Sequence, residues 1–110
     1  MENARQELLL AISGESPLKC AAIVFGKYYN DIFKDEDDEY KHISLKVDYT
    51  QEEYESFLQE LDFNYYSGYG TQQLFGTLWH EDGSWQERGE YDGSEWWEHK
   101  QLPTIPEFLY

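Results

Sequence analysis

Apolar positions recur along this chain with two periods, and the changes between them mark out the elements. Over residues 2–13, Ala4, Leu8, Ala11 and Ile12 follow helical spacing and Gly14 is a suitable stop. Ser16-Pro17 breaks that pattern. The nearly continuous apolar run from Leu18 to Lys27, with β-branched Ile23 and Val24, predicts a central strand. Ile43, Leu45 and Val47 then alternate with His42, Ser44 and Lys46, which predicts a half-buried strand antiparallel to the first. Thr50-Gln51-Glu52-Glu53 spells a capping box, and Tyr54, Phe57, Leu58 and Leu61 form the apolar stripe of the helix it opens. Phe63 begins a tyrosine-rich stretch that reads first as a strand, and Gly68 and Gly70 turn it into a loop.

From Gln73 onward the pattern is a three-stranded meander. Asp82-Gly83 and Asp92-Gly93 are both signals for two-residue hairpin turns. Counting outward from two such turns places His80 opposite Trp85, Leu78 opposite Glu87, Gly76 opposite Gly89 and Leu74 opposite Tyr91. Across the second turn it places Gly89 opposite Trp96, Arg88 opposite Trp97, Glu87 opposite Glu98 and Trp85 opposite Lys100. On this register Leu74, Leu78, Trp85, Tyr91 and Trp96 share the core side, with the Trp96 indole over Gly76 and Gly89. Phe75, Thr77, Trp79, Gln86, Arg88, Glu90, Glu95, Trp97 and His99 take the other face, where Arg88 meets Trp97 in a cation–π contact. The N-terminal helix covers these rings, or they form a binding patch. The expected architecture is α+β: a single domain over residues 1–110, with two helices packed on an antiparallel sheet of about five strands.

Composition changes what such a domain can bind. The 110 residues carry a formal charge of −15 and are 18% aromatic. The rings supply enough burial to fold a chain whose charge alone would favour disorder. Twenty-three acidic against eight basic residues repel nucleic acid and anionic membranes, so a basic protein surface is the expected partner. The acidity is densest at Asp35, Glu36, Asp37, Asp38 and Glu39, read as a solvated loop, and recurs at Glu52, Glu55 and Glu60 on the second helix. Neither Lys nor Arg lies between Val47 and Asn64 to offset the charge of that helix. No apolar run approaches a membrane span, and the chain start lacks a basic leader and cleavage site, so the cytosol is the expected compartment.

Candidate chemistry is sparse. Glu87 opposite Glu98 on the core side would repel: either one of them holds its proton as catalytic carboxylate pairs do, or Lys100 neutralises Glu98 at a wet sheet end. His42, His80 and His99 lack metal-ligand spacing, the lone Cys20 lies in an apolar stretch that suits a buried hydrophobe, and no cofactor motif is present. In the tail, Ile105, Phe108 and Leu109 are placed to dock back on the domain or on a partner. The stretch Gly76-Thr77-Leu78-Trp79 through Gly89-Glu90-Tyr91-Asp92-Gly93-Ser94-Glu95-Trp96-Trp97, with Pro103 and Pro106, resembles small acidic proteins of bacteria and their phages. The resemblance implies an accessory protein from a group rich in inhibitors that mimic DNA. The expected function is therefore protein binding through Asp35–Glu39, Glu52, Glu55, Glu60, Trp79 and Trp97. The alternatives are an enzyme using Glu87 and Glu98 in an aromatic pocket, and a homodimer through a Trp79/Trp97 face.

Overall fold

A computed structural model describes residues 2–26, 41–65, 73–91, 94–102 and 106–109. The acidic run Asp35, Glu36, Asp37, Asp38 and Glu39 lies outside the described residues, as does Ile105. The elements in order are β1 (Glu2–Asn3), α1 (Ala4–Ile12), β2 (Leu18–Phe25), β3 (Lys41–Leu45), α2 (Gln51–Glu60), β4 (Asn64–Tyr65), β5 (Leu74–His80), β6 (Trp85–Tyr91), β7 (Ser94–Lys100) and a 3-10 turn (Glu107–Leu109). The five long strands form one antiparallel sheet in the order β3-β2-β5-β6-β7, which is the expected α+β arrangement with its C-terminal meander. β4 pairs with β1 in a separate two-stranded ribbon, so the start of the tyrosine-rich stretch stays out of the main sheet.

Each helix is fixed at its ends by local chemistry. The Asn3 side chain caps α1 by accepting from the Gln6 amide at 3.0 Å, while its own amide group donates to Asp62 and Asn64. α1 stops at Gly14, whose φ of 80° suits a residue without a Cβ. The capping box of α2 is formed in full: Thr50 Oγ1 accepts from the Glu53 amide at 3.1 Å and Glu53 Oε1 from the Thr50 amide at 2.8 Å. Both helices lie on the same face of the sheet. Ala4 and Leu8 from α1 and Phe57 and Leu58 from α2 share one buried cluster with Ala21, Ile23, Ile43, Leu45, Leu74 and Leu78. Each fully buried Leu, Ile or Phe there contributes about 1.5–3 kcal/mol.

Four expectations need correction. The first is the register across β5 and β6, where Leu78 faces Gln86, Thr77 faces Glu87 and Trp79 faces Trp85. The turn holds three residues, Glu81, Asp82 and Gly83, because a two-residue turn of the expected type needs positive φ at both centres. Only Gly83 adopts it, at 92°, while Asp82 keeps a negative φ and accepts from both the amide and the hydroxyl of Ser84. The second is Cys20, which is half-buried beside an irregularity in β2. The third is β3, which ends at Leu45 and leaves Val47 half exposed. The fourth is the tail, where Phe108 and Leu109 are exposed and do not dock. None of the helices among the described residues is long and apolar enough to cross a membrane.

Candidate functional site

A slip of one residue exchanges the two faces of a strand. The β6–β7 pairing is the one counted from the sequence, with Gly89 opposite Trp96, Arg88 opposite Trp97 and Glu87 opposite Glu98. The longer first turn therefore inverts the whole β6–β7 ribbon relative to β5. Gln86, Arg88, Glu95 and Trp97 lie under the helices, and Trp85, Trp96 and Tyr91 lie on the face that no helix among the described residues covers. Trp79 and Trp97, expected together, are on opposite faces.

The uncovered face is ordered in rows across the strands. One row runs Cys20, Trp79, Trp85, Lys100. The next runs Ser44, Ala22, Thr77, Glu87, Glu98. A third holds His42, Val24 and Phe75 on one side and Gly89 and Trp96 on the other. Phe75, Trp79 and Trp96 are each about two-fifths exposed. The Trp96 indole covers Gly89 so closely that a Cβ there would lie 2.6 Å from its Nε1, as expected, whereas Gly76 packs against Ile23 instead. Two aromatic rows thus flank a row of small and acidic residues. A shallow recess of about 280 Å³ opens between them, lined by Phe75, Gly76, Thr77, Glu87 and Arg88.

Glu87 and Glu98 do face each other, but on this open face and not in the core. Glu87 Oε2 pairs with Lys100 Nζ at 3.2 Å, and Glu87 Oε1 accepts from Trp85 Nε1 at 3.1 Å. These two partners hold the Glu87 carboxyl below the usual range, with Lys100 the larger cause. Lys100, expected to neutralise Glu98, pairs with Glu87 instead, and Glu87 is thereby no proton-holding member of a carboxylate pair. Glu98 is exposed and has no ion-pair partner among the described residues.

The covered face holds polar groups that the sequence pattern did not reveal. The β5–β6 ladder runs from Trp79 to Thr77, and beyond it β5 pairs with β2 and β6 with β7. Into that divergence the buried Glu95 carboxylate reaches, accepting from the amides of Gln73 and Leu74 at 2.8 and 3.0 Å. Arg88, whose side chain is 1% exposed, donates to Glu95 at 3.1 Å and to the Tyr65 hydroxyl at 2.8 Å, and lies 3.4 Å from Glu7. Tyr65 in turn donates to Glu7, and burial followed by that bond raises its phenol well above the ordinary range. The Trp97 ring stacks on the guanidinium at 5.0 Å, so the expected cation–π contact exists but is covered by the helix layer. Nearby, Gln86 Nε2 lies 3.0 Å from both the Ala11 carbonyl and His80 Nε2, while His80 Nδ1 faces the Ser16 carbonyl at 2.6 Å. That pattern places the His80 proton on Nδ1, with Nε2 accepting from Gln86.

On the same side as the helices, α2 turns Glu52, Glu53, Glu55 and Glu60 outward, all exposed. Its apolar stripe is buried at Phe57, Leu58 and Leu61, and Tyr54 stacks on Tyr49 at 5.7 Å. Among the described residues none of Glu52, Glu55 and Glu60 has an ion-pair partner, and Lys41 donates to the Glu60 carbonyl. Of the expected binding residues, then, Glu52, Glu55 and Glu60 form one surface, Trp79 belongs to the opposite side of the sheet, and Trp97 is largely packed away. Phe75, Trp85 and Trp96 join Trp79 instead; the turn residues themselves give no signal for this, since Asp82-Gly83 and Asp92-Gly93 are each followed by a Ser. Comparison with protein-family models, curated proteins and solved structures finds no match to this chain.

Proposed function

We propose that this chain is an acidic protein-binding domain whose carboxylates engage the basic surface of a nucleic-acid-binding protein. The observation that carries the reading is α2. Among the described residues its outward Glu52, Glu55 and Glu60 form no ion pair, and the helix is stabilised by its capping box and buried stripe despite their repulsion. A helix that holds a row of fixed negative charge in water presents the feature a phosphate backbone presents to the same partner. The net charge of −15 adds long-range attraction to any cationic surface and speeds encounter. The resemblance of the C-terminal third to small acidic proteins of bacteria and phages supports the same reading.

The test is capture from a bacterial lysate on the immobilised chain. The expected partner is a nucleic-acid-binding protein, released as salt is raised from about 0.05 to 0.5 M and displaced by duplex DNA. A variant with Glu52→Gln, Glu55→Gln and Glu60→Gln should lose it. A partner that ignores salt, DNA and the triple substitution would overturn the proposal.

A further inference from the structure

The uncovered face of the sheet differs in chemistry from α2, and it points to one kind of side chain. We propose that this face is an arginine-recognition surface, where a guanidinium of the partner lies along the Thr77 row between the aromatic rows. The inference rests on the function proposed above and adds where, and through which residue type, a cationic partner is read.

Three observations carry it. The rows are two residues apart along the strands, so the Trp79–Trp85 row and the Phe75–Trp96 row stand roughly 13 Å apart with the small residues Ala22 and Thr77 between them. A planar cation in that trough can stack on a ring of one row, and a guanidinium, more weakly hydrated than an ammonium, does so more readily. At the trough's end, Glu87 and Glu98 are directly opposite across β6 and β7, with Lys100 paired to Glu87 alone. Two like charges in that relation destabilise a sheet, and a guanidinium donating to Glu98 and Glu87 would relieve them. Arg88 contributes to the recess lining, but its guanidinium is on the covered face with Glu95 and Glu7 and does not compete. A second copy, nucleic acid or an anionic membrane would each bring negative charge to the same carboxylates.

The probes are two peptides of equal length and charge, one alternating arginine with serine and the other lysine with serine. Binding is followed by tryptophan fluorescence and by amide shifts of the intact chain. The arginine peptide should bind roughly tenfold more tightly and shift amides of β5, β6 and β7. Trp79→Ala and Trp96→Ala should each weaken it about two- to fivefold. Glu98→Gln, an exposed change that leaves folding intact, should weaken it while sparing the lysine peptide. Equal binding of both peptides, lost in the α2 triple variant, overturns this inference and leaves the proposed function standing. Failure of both peptides to bind at low salt overturns both. Self-association abolished by Trp79→Ala assigns the face to a second copy and also overturns the inference.

Discussion

The two faces of the five-stranded sheet are built by the same strands and solve opposite problems. Under the helices, Arg88, Glu95, Gln86 and His80 are buried among Leu74, Leu78 and Ile23, while on the open side Trp79, Phe75 and Trp96 face water. Arg88 is 1% exposed and Trp79 is 42% exposed. Hydrophobicity alone ranks these residues the wrong way round. What decides is whether each group finds partners: Arg88 has two carboxylates, a phenol and a ring, and Glu95 replaces strand pairing for two amides where β5 and β6 diverge. Among the described residues no layer covers the open face, and its rings face water.

The largest effect that separates the faces is expected from Glu95→Ala. It leaves Arg88 short of a buried counter-charge and strips two amides of their acceptor, a loss of about 3–5 kcal/mol. Trp79→Ala, which removes a ring already in contact with water, should cost about 1 kcal/mol. Urea unfolding compares the two, and equal losses would break the contrast. A second pair of substitutions sharpens it. In Gly76→Ala the new Cβ would lie 2.6 Å from the Ala22 carbonyl oxygen, at a φ of 155°, against backbone that cannot yield. In Gly89→Ala the obstacle at 2.6 Å is the exposed Trp96 indole, which can swing outward. Unfolding should show losses of about 3 and about 1 kcal/mol respectively, with a red-shifted tryptophan emission only in the second.

The smallest effect concerns acid. Asp82 is held low by its bonds from Ser84, and Glu87 by Lys100 and Trp85. Depressed carboxylates stabilise the folded chain above their ordinary range near about pH 4, and that contribution is lost as pH falls through the lower folded values. Carboxyl NMR titration should therefore place Glu87 below the usual glutamate midpoint, and Lys100→Gln should raise it. A Glu87 midpoint at or above the usual value would contradict the ion pair.

Most of the architecture is legible in the sequence because it is local. The stripe of Tyr54, Phe57, Leu58 and Leu61, the box at Thr50, the alternation at Ile43 and Leu45, and the β6–β7 register all follow from near neighbours. The site is less legible because it depends on one turn. Two identical Asp-Gly-Ser runs belong to turns of different length: His80 and Ser84 close the first around three residues, whereas Tyr91 pairs with Ser94 across the second. The one extra residue in the first turn inverts Trp85, Trp96, Arg88 and Trp97 together. The buried cluster of Arg88, Glu7, Tyr65 and Glu95 draws on four separate parts of the chain and follows no period at all.

The small ribbon of β1 and β4 has a consequence for how the chain is born. Helix α1 is only nine residues long, too short to persist alone in water. Its polar partners are synthesised much later: Asn64 and Tyr65 for its ribbon, Gln86 and Arg88 for its polar face. Its complete docking is therefore a late step across long loops.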